Sequence, residues 1–305
     1  MFKSHIQSLV RLQTSENRDI KKGVLLDRNE RVENYNKETY RKIIKSISRF
    51  SINATPDIQN LYKSLSTNFK VSKENIYLGQ GITELMSQII FSLVKKNEEV
   101  VIMDPTYPMY EVLCKLHGVK YRKWKFKNNL NLELSDLKKV LNKKTKILFI
   151  VNPNLPIEYE LSYQQKNEIY KICKKNKTIV VYDEAYYHFG GKSEITNSLN
   201  KDIIVMRTFS KAWGLPSIRL GFLVTNKKLR NYLAKCRSLV ETNALSYQVA
   251  MWALKNKSIL KNHVNQIKNG SKYLIREFQR INQPFFGGKV TNAMLVKLKS
   301  KKEVD

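Results

Sequence analysis

The 305-residue sequence is poor in cysteine and has no long hydrophobic run. Its three cysteines, Cys114, Cys173 and Cys236, lie far apart and lack the paired spacing of a disulfide framework or a metal site. The four histidines are equally scattered. No apolar run approaches the length of a membrane span, and the N-terminus has no signal-peptide core. We therefore expect a soluble, cytoplasmic protein with no metal and no membrane partner.

Acidic residues are also scarce, with 26 Asp and Glu against 55 Lys and Arg, which gives a formal net charge of +29. Such an excess raises the hypothesis of a nucleic-acid-binding module. The basic residues are evenly spread, however, and no basic tail or patch stands out. We therefore expect no specific nucleic-acid partner, only non-specific attraction to polyanions. A strongly salt-dependent affinity for DNA or RNA would be the signature of the alternative.

Short apolar strands alternate with helical segments from residue 76 onward. Strands are predicted at 76–78, 100–103, 146–151, 178–182, 203–206 and 220–224. Helices between them are predicted to end near 95, 117 and 175, and further ones at 37–48, 57–69, 228–238 and 243–281. A short strand at 24–30 and a late one at 293–299 complete the pattern. Such alternation is typical of an α/β protein with a mainly parallel sheet covered by helices.

One segment, residues 207–222, follows a buried strand and contains a lysine flanked by hydroxyl groups. Lys211 in apolar surroundings has a lowered pKa and can act as a nucleophile toward a carbonyl. Thr208, Ser210 and Arg219 supply hydroxyl donors and a permanently charged planar group, which suit a phosphate. An amine beside a phosphate clamp points to pyridoxal phosphate held as a Schiff base. The alternative is that Ser-Lys is a common dipeptide and the arginine lies on the surface.

Other polar clusters also follow predicted strands, and ligands bind at the carboxyl ends of strands in such sheets. Together these clusters resemble the fold-type I pyridoxal-phosphate aminotransferases of class I/II, in particular the histidinol-phosphate aminotransferase-like branch. The resemblance runs from about residue 25 to 299. It is carried by Gly-Gln-Gly-Ile-Thr-Glu (79–84), Pro-Thr-Tyr-Pro-Met-Tyr (105–110), Asn-Pro-Asn-Leu-Pro (152–156), Asp-Glu-Ala-Tyr (183–186) and Ser-Lys (210–211) with Arg219. Each motif alone is common, whereas their order is specific.

The resemblance implies a role for each matched residue. Lys211 would form the imine with the cofactor and then carry a proton between substrate and cofactor carbons. Asp183 would pair with the pyridine nitrogen, and Tyr186 would bond the phenolic oxygen. The remaining cofactor contacts would come from Tyr107 stacking on the ring and from a phosphate cup made by Gly81, Ile82, Thr83, Thr208, Ser210 and Arg219. The alternatives are a helix cap for Asp183 and ordinary packing for the tyrosines.

Three departures from the family pattern are present. The family loop Asn-Pro-Asn-Asn-Pro-Thr-Gly reads Asn-Pro-Asn-Leu-Pro-Ile-Glu at 152–158, so Leu155 replaces an asparagine that donates to the phenolic oxygen. We expect either Asn154 to replace that donor or Tyr186 to act alone. Thr55 stands where the family has a tyrosine that reaches the neighbouring subunit's phosphate. The chain also ends soon after the last predicted strand, before a segment in which relatives carry a substrate-binding arginine. We therefore expect either a truncated small domain or a different way of holding the substrate.

The resemblance implies an aminotransferase that moves an amino group between an amino acid and an oxo acid or phosphorylated oxo compound. It also implies a homodimer. The expected organisation is an N-terminal arm that contributes to a small domain (1–45), a large cofactor-binding domain (46–240), and a long helix with the C-terminal small domain (241–305). Two alternatives on the same scaffold are a decarboxylase of the threonine-phosphate type and a cofactor-binding protein with impaired catalysis.

Overall fold

The computed structural model describes residues 3–7, 9, 26, 28–49 and 53–298. Its strands are β1 (Ile76–Gly79), β2 (Glu99–Asp104), β3 (Lys120–Lys125), β4 (Thr145–Val151), β5 (Ile179–Asp183), β6 (Ile203–Thr208), β7 (Gly221–Val224), β8 (Phe285–Gly287) and β9 (Met294–Val296). Its helices are α1 (Ser4–Gln7), α2 (Lys37–Lys45), α3 (Gln59–Phe69), α4 (Ile82–Leu93), α5 (Met109–Leu116), α6 (Leu134–Val140), α7 (Tyr163–Lys175), α8 (Ile195–Ser198), α9 (Lys227–Leu233), α10 (Ala244–Lys255) and α11 (Ser258–Arg280).

The first seven strands form one sheet in the order β1-β7-β6-β5-β4-β2-β3. Strands β3, β2, β4, β5 and β6 run parallel, whereas β7 is antiparallel to both of its neighbours, β6 and β1. The carboxyl ends of β1, β2, β4, β5 and β6 therefore lie at one edge of the sheet. The loops that carry the polar motifs all begin at this edge, which confirms the predicted α/β fold with its mainly parallel sheet.

Both faces of the sheet are buried because helices pack on each of them, and successive side chains of each strand point to opposite faces. In β2, Val101 and Met103 join a core beneath α3, α7 and α10, while Val100 and Ile102 join a second core beneath α4 and α5. This double burial explains why the strands are continuous apolar runs rather than alternating ones.

Several predicted elements differ from those observed. The helical stretch predicted at 243–281 is two helices, because the chain leaves helical geometry at Asn256. Helix α10 packs against α3 in the core of the large sheet, although the sequence grouped it with the C-terminal domain. The division at residue 240 stays a prediction.

Strand β3 and helix α6 were not predicted. The β3 sequence is Lys-Tyr-Arg-Lys-Trp-Lys, and only Trp124 within it is buried, so this charged edge strand has no apolar signature.

At the two ends of the chain, part of the sequence-based prediction lies outside the described residues. Most of residues 1–23 of the predicted arm, three residues of the strand predicted at 24–30, and Lys299 of the late strand are not described. Within the predicted strand, Asn29 has a left-handed φ of 52°, which is incompatible with a strand. The late strand, β9, is shorter than predicted. Among the described residues, no helix is both long enough and apolar enough to cross a membrane.

The small antiparallel sheet of β8 and β9 is attached to the large sheet through the carboxylate of Glu158. This buried side chain accepts hydrogen bonds of 2.9–3.1 Å from the backbone N–H groups of residues 288–291 and one of 2.7 Å from the Thr291 hydroxyl. Glu158 belongs to the loop after β4, at the position where the family motif has glycine. The loop at the sheet edge and the C-terminal hairpin are therefore one connected structure.

We expect Glu158→Gln to lower the free energy of unfolding by roughly 2–4 kcal/mol, because the new amide group would face N–H donors that need an acceptor. Urea denaturation measures this loss, and trypsin cleavage after Lys289 reports whether the hairpin is released locally. The control is Glu168→Gln, since Glu168 makes only a 3.7 Å ion pair with the exposed Lys138 and should change stability by about 0.5 kcal/mol or less. Equal stability of the two variants would contradict the anchoring role.

Candidate active site

Lys211 lies in the loop after β6, mostly withdrawn from solvent. Its Nζ donates to the backbone carbonyl oxygens of Arg28 at 3.1 Å and Asn29 at 3.0 Å. Burial lowers the pKa of the Lys211 amine, an effect that the nearby carboxylates of Glu30 and Asp183 oppose. The lysine is therefore easier to deprotonate than an exposed one, which is what a nucleophilic amine requires.

The N-terminal segment 28–35 covers the lysine loop and causes this burial. The Tyr35 hydroxyl donates to the carbonyl oxygens of Trp213 at 2.8 Å and Gly214 at 3.2 Å. Gly214 has a φ of +65°, and a Cβ at this position would lie only 2.8 Å from Cδ of Arg31. Glycine is needed here both for its backbone conformation and to let the covering segment approach.

Asp183 is the last residue of β5 and is 4% exposed. Its carboxylate accepts from the Tyr110 hydroxyl at 2.8 Å and from the Ala185 N–H at 3.0 Å. Burial raises the pKa of Asp183 to about 6, although both hydrogen bonds favour the charged form. The site thus contains a buried carboxylate that a cationic ring N–H would stabilise.

Tyr110 is a contact to Asp183 that the sequence did not assign, although the residue stands inside a quoted motif. It is the second residue of α5 and is fully buried. Its spacing of three from Tyr107, at a helix start, was the available signal, because such spacing places the two residues on neighbouring positions of one turn.

Tyr186 and Tyr107 lie on either side of Asp183 in the chain and differ in exposure. The Tyr186 hydroxyl accepts a hydrogen bond of 3.1 Å from Nδ2 of Asn29. Burial raises the pKa of Tyr186, and the bond from Asn29 opposes that rise. Tyr107 lies between β2 and α5 and is 46% exposed. Its predicted stacking on the cofactor stays a prediction.

The predicted phosphate cup is assembled by the pairing of β7 with its two neighbours. Gly221 is opposite Gly79 in β1 and opposite Thr208 in β6. A Cβ on Gly221 would lie 2.9 Å from the Arg207 carbonyl oxygen and 3.0 Å from the carbonyl carbon of Gly81. The absence of a side chain at this position lets the turn before α4 approach the end of β6.

Arg219 and the hydroxyl groups of Thr208 and Ser210 are the remaining members of the predicted phosphate cup. A Cβ on Gly81 would lie 2.9 Å from Nη2 of Arg219, so the guanidinium is against the start of α4. The Thr208 hydroxyl bonds the Ser210 hydroxyl at 3.0 Å and accepts from the Ser210 N–H at 3.0 Å. The guanidinium of Arg219 therefore lies at the N-terminus of α4, and the two hydroxyl groups lie at the end of β6, which pairs with the start of β7.

The first N–H groups of a helix have no partner within the helix. The Gly81 N–H already donates to the Gly79 carbonyl oxygen at 2.8 Å. The phosphate contacts of Ile82 and Thr83 stay predictions, whereas the backbone contact predicted for Gly81 is not supported by this geometry.

Asn154 is fully buried and its side chain is occupied by the fold. Its amide nitrogen donates to the carbonyl oxygens of Pro105 at 3.2 Å and Ile157 at 3.0 Å, and its oxygen accepts from Thr106 at 2.8 Å. Both amide hydrogens are accounted for. The expectation that Asn154 takes over as donor to the cofactor is therefore not supported by the observed conformation.

The residues at this edge fit pyridoxal phosphate. Asp183 offers a carboxylate for a ring nitrogen, Lys211 an amine for an aldehyde, and Arg219 with the start of α4 a cationic end for a phosphate. Fold and site together therefore define a pyridoxal-phosphate enzyme of fold type I.

Comparison with known proteins gives the family. A model described as aminotransferase class I and II matches residues 28–304. A histidinol-phosphate aminotransferase of Thermoanaerobacter sp. (strain X514) is 32% identical over 261 residues, covering 85% of this chain and 73% of the relative. The corresponding protein of Pyrococcus furiosus is 29% identical over 278 residues, covering 90% and 79%. The chain belongs to the class I and II aminotransferases, and it is a pyridoxal-phosphate-dependent transaminase.

Solved structures show the same fold. The histidinol-phosphate aminotransferase of Sinorhizobium meliloti, in complex with pyridoxal-5'-phosphate, superposes with a TM-score of 0.84 at 21% identity and covers 99% of this chain and 83% of its own. The aspartate aminotransferase of Thermus thermophilus with maleate gives a TM-score of 0.73 at 13% identity, with coverages of 84% and 72%.

We expect Gly221→Ala to weaken cofactor binding and to cost roughly 1–3 kcal/mol of stability, because the added methyl would meet backbone atoms that cannot rotate away. The measurements are pyridoxal-phosphate titration by absorbance and thermal unfolding. Gly270→Ala is the matched control, since Gly270 lies in α11 and the added Cβ would have no atom within 4 Å apart from neighbouring residues and backbone of its own helix. Alanine there should stabilise by about 0.5–1 kcal/mol. Unchanged cofactor affinity in Gly221→Ala would refute the close-approach argument.

Asp183→Asn tests the raised pKa of the carboxyl group in cofactor-free protein. The folded state holds the Asp183 proton up to about pH 6, whereas the unfolded chain releases it near 3.8. Wild-type stability should therefore fall as the pH rises between these values, by on the order of 3 kcal/mol in total. The substituted amide cannot ionise, so the variant should be more stable than wild type above pH 6. The difference between the two free energies of unfolding should become smaller toward pH 4. A gap independent of pH would contradict the assignment.

Proposed function

We propose that this protein transfers the amino group of histidinol phosphate, or of a closely related phosphorylated amine, to a 2-oxo acid. The observation that carries the proposal is the joint placement of Lys211, Asp183 and Arg219 at one sheet edge, in a chain whose curated relatives bear the name histidinol-phosphate aminotransferase. The alternative decarboxylase has no specific observation in its favour.

Each residue has a proposed task. Bound pyridoxal phosphate supplies an aldehyde and an electron-withdrawing ring. The Lys211 amine acts first as the nucleophile and then as the base and acid that moves a proton at Nζ. The Asp183 carboxylate holds a proton on the ring nitrogen, and the Tyr186 hydroxyl donates to the phenolic oxygen. Arg219, with the hydroxyls of Thr208 and Ser210, neutralises the cofactor phosphate.

We also propose that the protein is a homodimer. Leu239 is 99% exposed and the adjacent Val240 is 40% exposed, in a segment between α9 and α10. Neighbouring apolar side chains exposed to this degree are typical of a surface that is covered by a partner. Thr55, on the exposed approach to α3, is too short to make the tyrosine contact that the family resemblance implies. A cytoplasmic location stays a prediction that depends on the scattered cysteines.

The deciding experiment follows amino transfer from histidinol phosphate in protein loaded with pyridoxal phosphate, using a panel of 2-oxo acids as acceptors. We expect formation of the matching amino acid, and no release of carbon dioxide. Lys211→Ala should lose at least about a thousandfold in rate and all cofactor fixed by borohydride reduction. Lys201→Ala is a matched control, because Lys201 bonds Asn197 away from the site.

Three outcomes would change the proposal. A reducible adduct retained in Lys211→Ala would mean that a different lysine is the nucleophile. Cofactor binding with no transfer from any amine would indicate a binding protein with impaired catalysis. Carbon dioxide release would indicate a decarboxylase.

Analytical ultracentrifugation of wild type and Leu239→Ser tests the dimer, which should weaken in the variant.

A further inference from the structure

Asn29 connects the two polar groups that lie at the centre of the site. Its side-chain amide donates to the Tyr186 hydroxyl at 3.1 Å, and its backbone carbonyl accepts from Nζ of Lys211 at 3.0 Å. The residue reaches both because its φ of 52° is left-handed, a conformation that asparagine tolerates better than most residues. Asn29 lies more than 150 positions before either partner in the sequence, so no local sequence pattern indicated this contact.

Neither Leu155 nor its neighbour Asn154 offers a free amide donor in place of the family asparagine. Leu155 has an apolar side chain, and the amide hydrogens of Asn154 are used by the carbonyls of Pro105 and Ile157. Of the two donors expected for the phenolic oxygen of the cofactor, Asn154 and Tyr186, Tyr186 is therefore the one left. How well it does so depends on where its single hydroxyl hydrogen points.

The bond from Asn29 decides the direction of that hydrogen. A phenol has one hydrogen and acceptor lone pairs, so a hydroxyl that accepts from an amide must direct its own hydrogen elsewhere. Accepting a bond also polarises the O–H group and strengthens the bond that it donates. The Asn29 amide lowers the pKa of the Tyr186 hydroxyl against the effect of burial, which agrees with a stronger donor.

We propose that Asn29 is a positioning residue that directs the Tyr186 hydroxyl hydrogen onto the phenolic oxygen of pyridoxal phosphate and so compensates for Leu155. This inference rests on the proposed function, because it requires the cofactor to be joined to Lys211. Its consequence is electrostatic: a better donor stabilises the phenolate form. Loss of Asn29 should therefore shift the protonation of the cofactor complex, whatever happens to turnover.

The test is the pH midpoint of the visible absorption change of the protein loaded with pyridoxal phosphate. Asn29→Gly removes the amide while accommodating the left-handed backbone, and should raise the midpoint by about one pH unit. Asn29→Asp has the same shape but offers an acceptor, so it should pull the Tyr186 hydrogen away and raise the midpoint further. Tyr186→Phe should also raise it.

A double-mutant cycle separates action through Tyr186 from a direct effect. In a Tyr186→Phe background, Asn29→Gly should shift the midpoint by no more than about 0.3 unit, because the hydroxyl through which it acts is gone. Asn36→Ala is the matched control: Asn36 caps α2 by accepting from the Thr39 N–H, so its loss should lower stability and leave the midpoint unchanged.

The outcomes distinguish the two proposals. If wild type forms no adduct with the cofactor, the proposed function and this inference both fail. If wild type forms the adduct and Asn29→Gly has the wild-type midpoint, the inference alone is overturned. Additive shifts in the cycle would also overturn it, because Asn29 would then act independently of Tyr186.

Discussion

At Gly221 the backbones of three chain segments come so close together that no side chain fits between them. A Cβ on Gly221 would lie only 2.9 Å from the Arg207 carbonyl oxygen and 3.0 Å from the Gly81 carbonyl carbon. This approach depends on β7 being antiparallel to both neighbours, since that arrangement puts the start of β7 beside the ends of β1 and β6. The turn before α4, the hydroxyls after β6 and Arg219 are neighbours only because of it.

Burial then gives these groups their chemistry. The segment 28–35 lies over the lysine loop, and the resulting low dielectric disfavours charge on any group beneath it. The pKa of Lys211 falls and that of Asp183 rises, so the amine and the carboxyl are both shifted toward their neutral forms. The covering segment thus favours the nucleophilic form of the Lys211 amine, and the burial of Asp183 at the end of β5 keeps its carboxyl group in a low-dielectric site.

Much of this architecture could be predicted from local sequence. The apolar runs located β2, β4, β5 and β6 to within a few residues, because strands buried on both faces are continuous runs of apolar residues. The charged edge strand β3 was missed because only Trp124 in it is buried. Within the site, motifs placed Asp183 and Lys211 at strand ends. Asn29 acts through contacts distant in sequence, so no spacing rule indicated it, whereas the spacing of Tyr110 from Tyr107 was a signal that the sequence analysis did not use. The occupied amide of Asn154 is visible only in three dimensions.

The attachment of Glu158 to residues 288–291 has a consequence for how the chain matures during synthesis. The hydrogen bonds join groups separated by 130 to 133 positions, so this contact cannot close until a long stretch of later chain has been made. Residues 288–291 leave the ribosome after every strand of the large sheet. The Glu158 carboxylate lies in the loop after β4, which borders the cofactor site. It therefore lacks these hydrogen-bond donors until the hairpin has been synthesised. Completion of the site is thereby coupled to the synthesis of a segment far downstream of it.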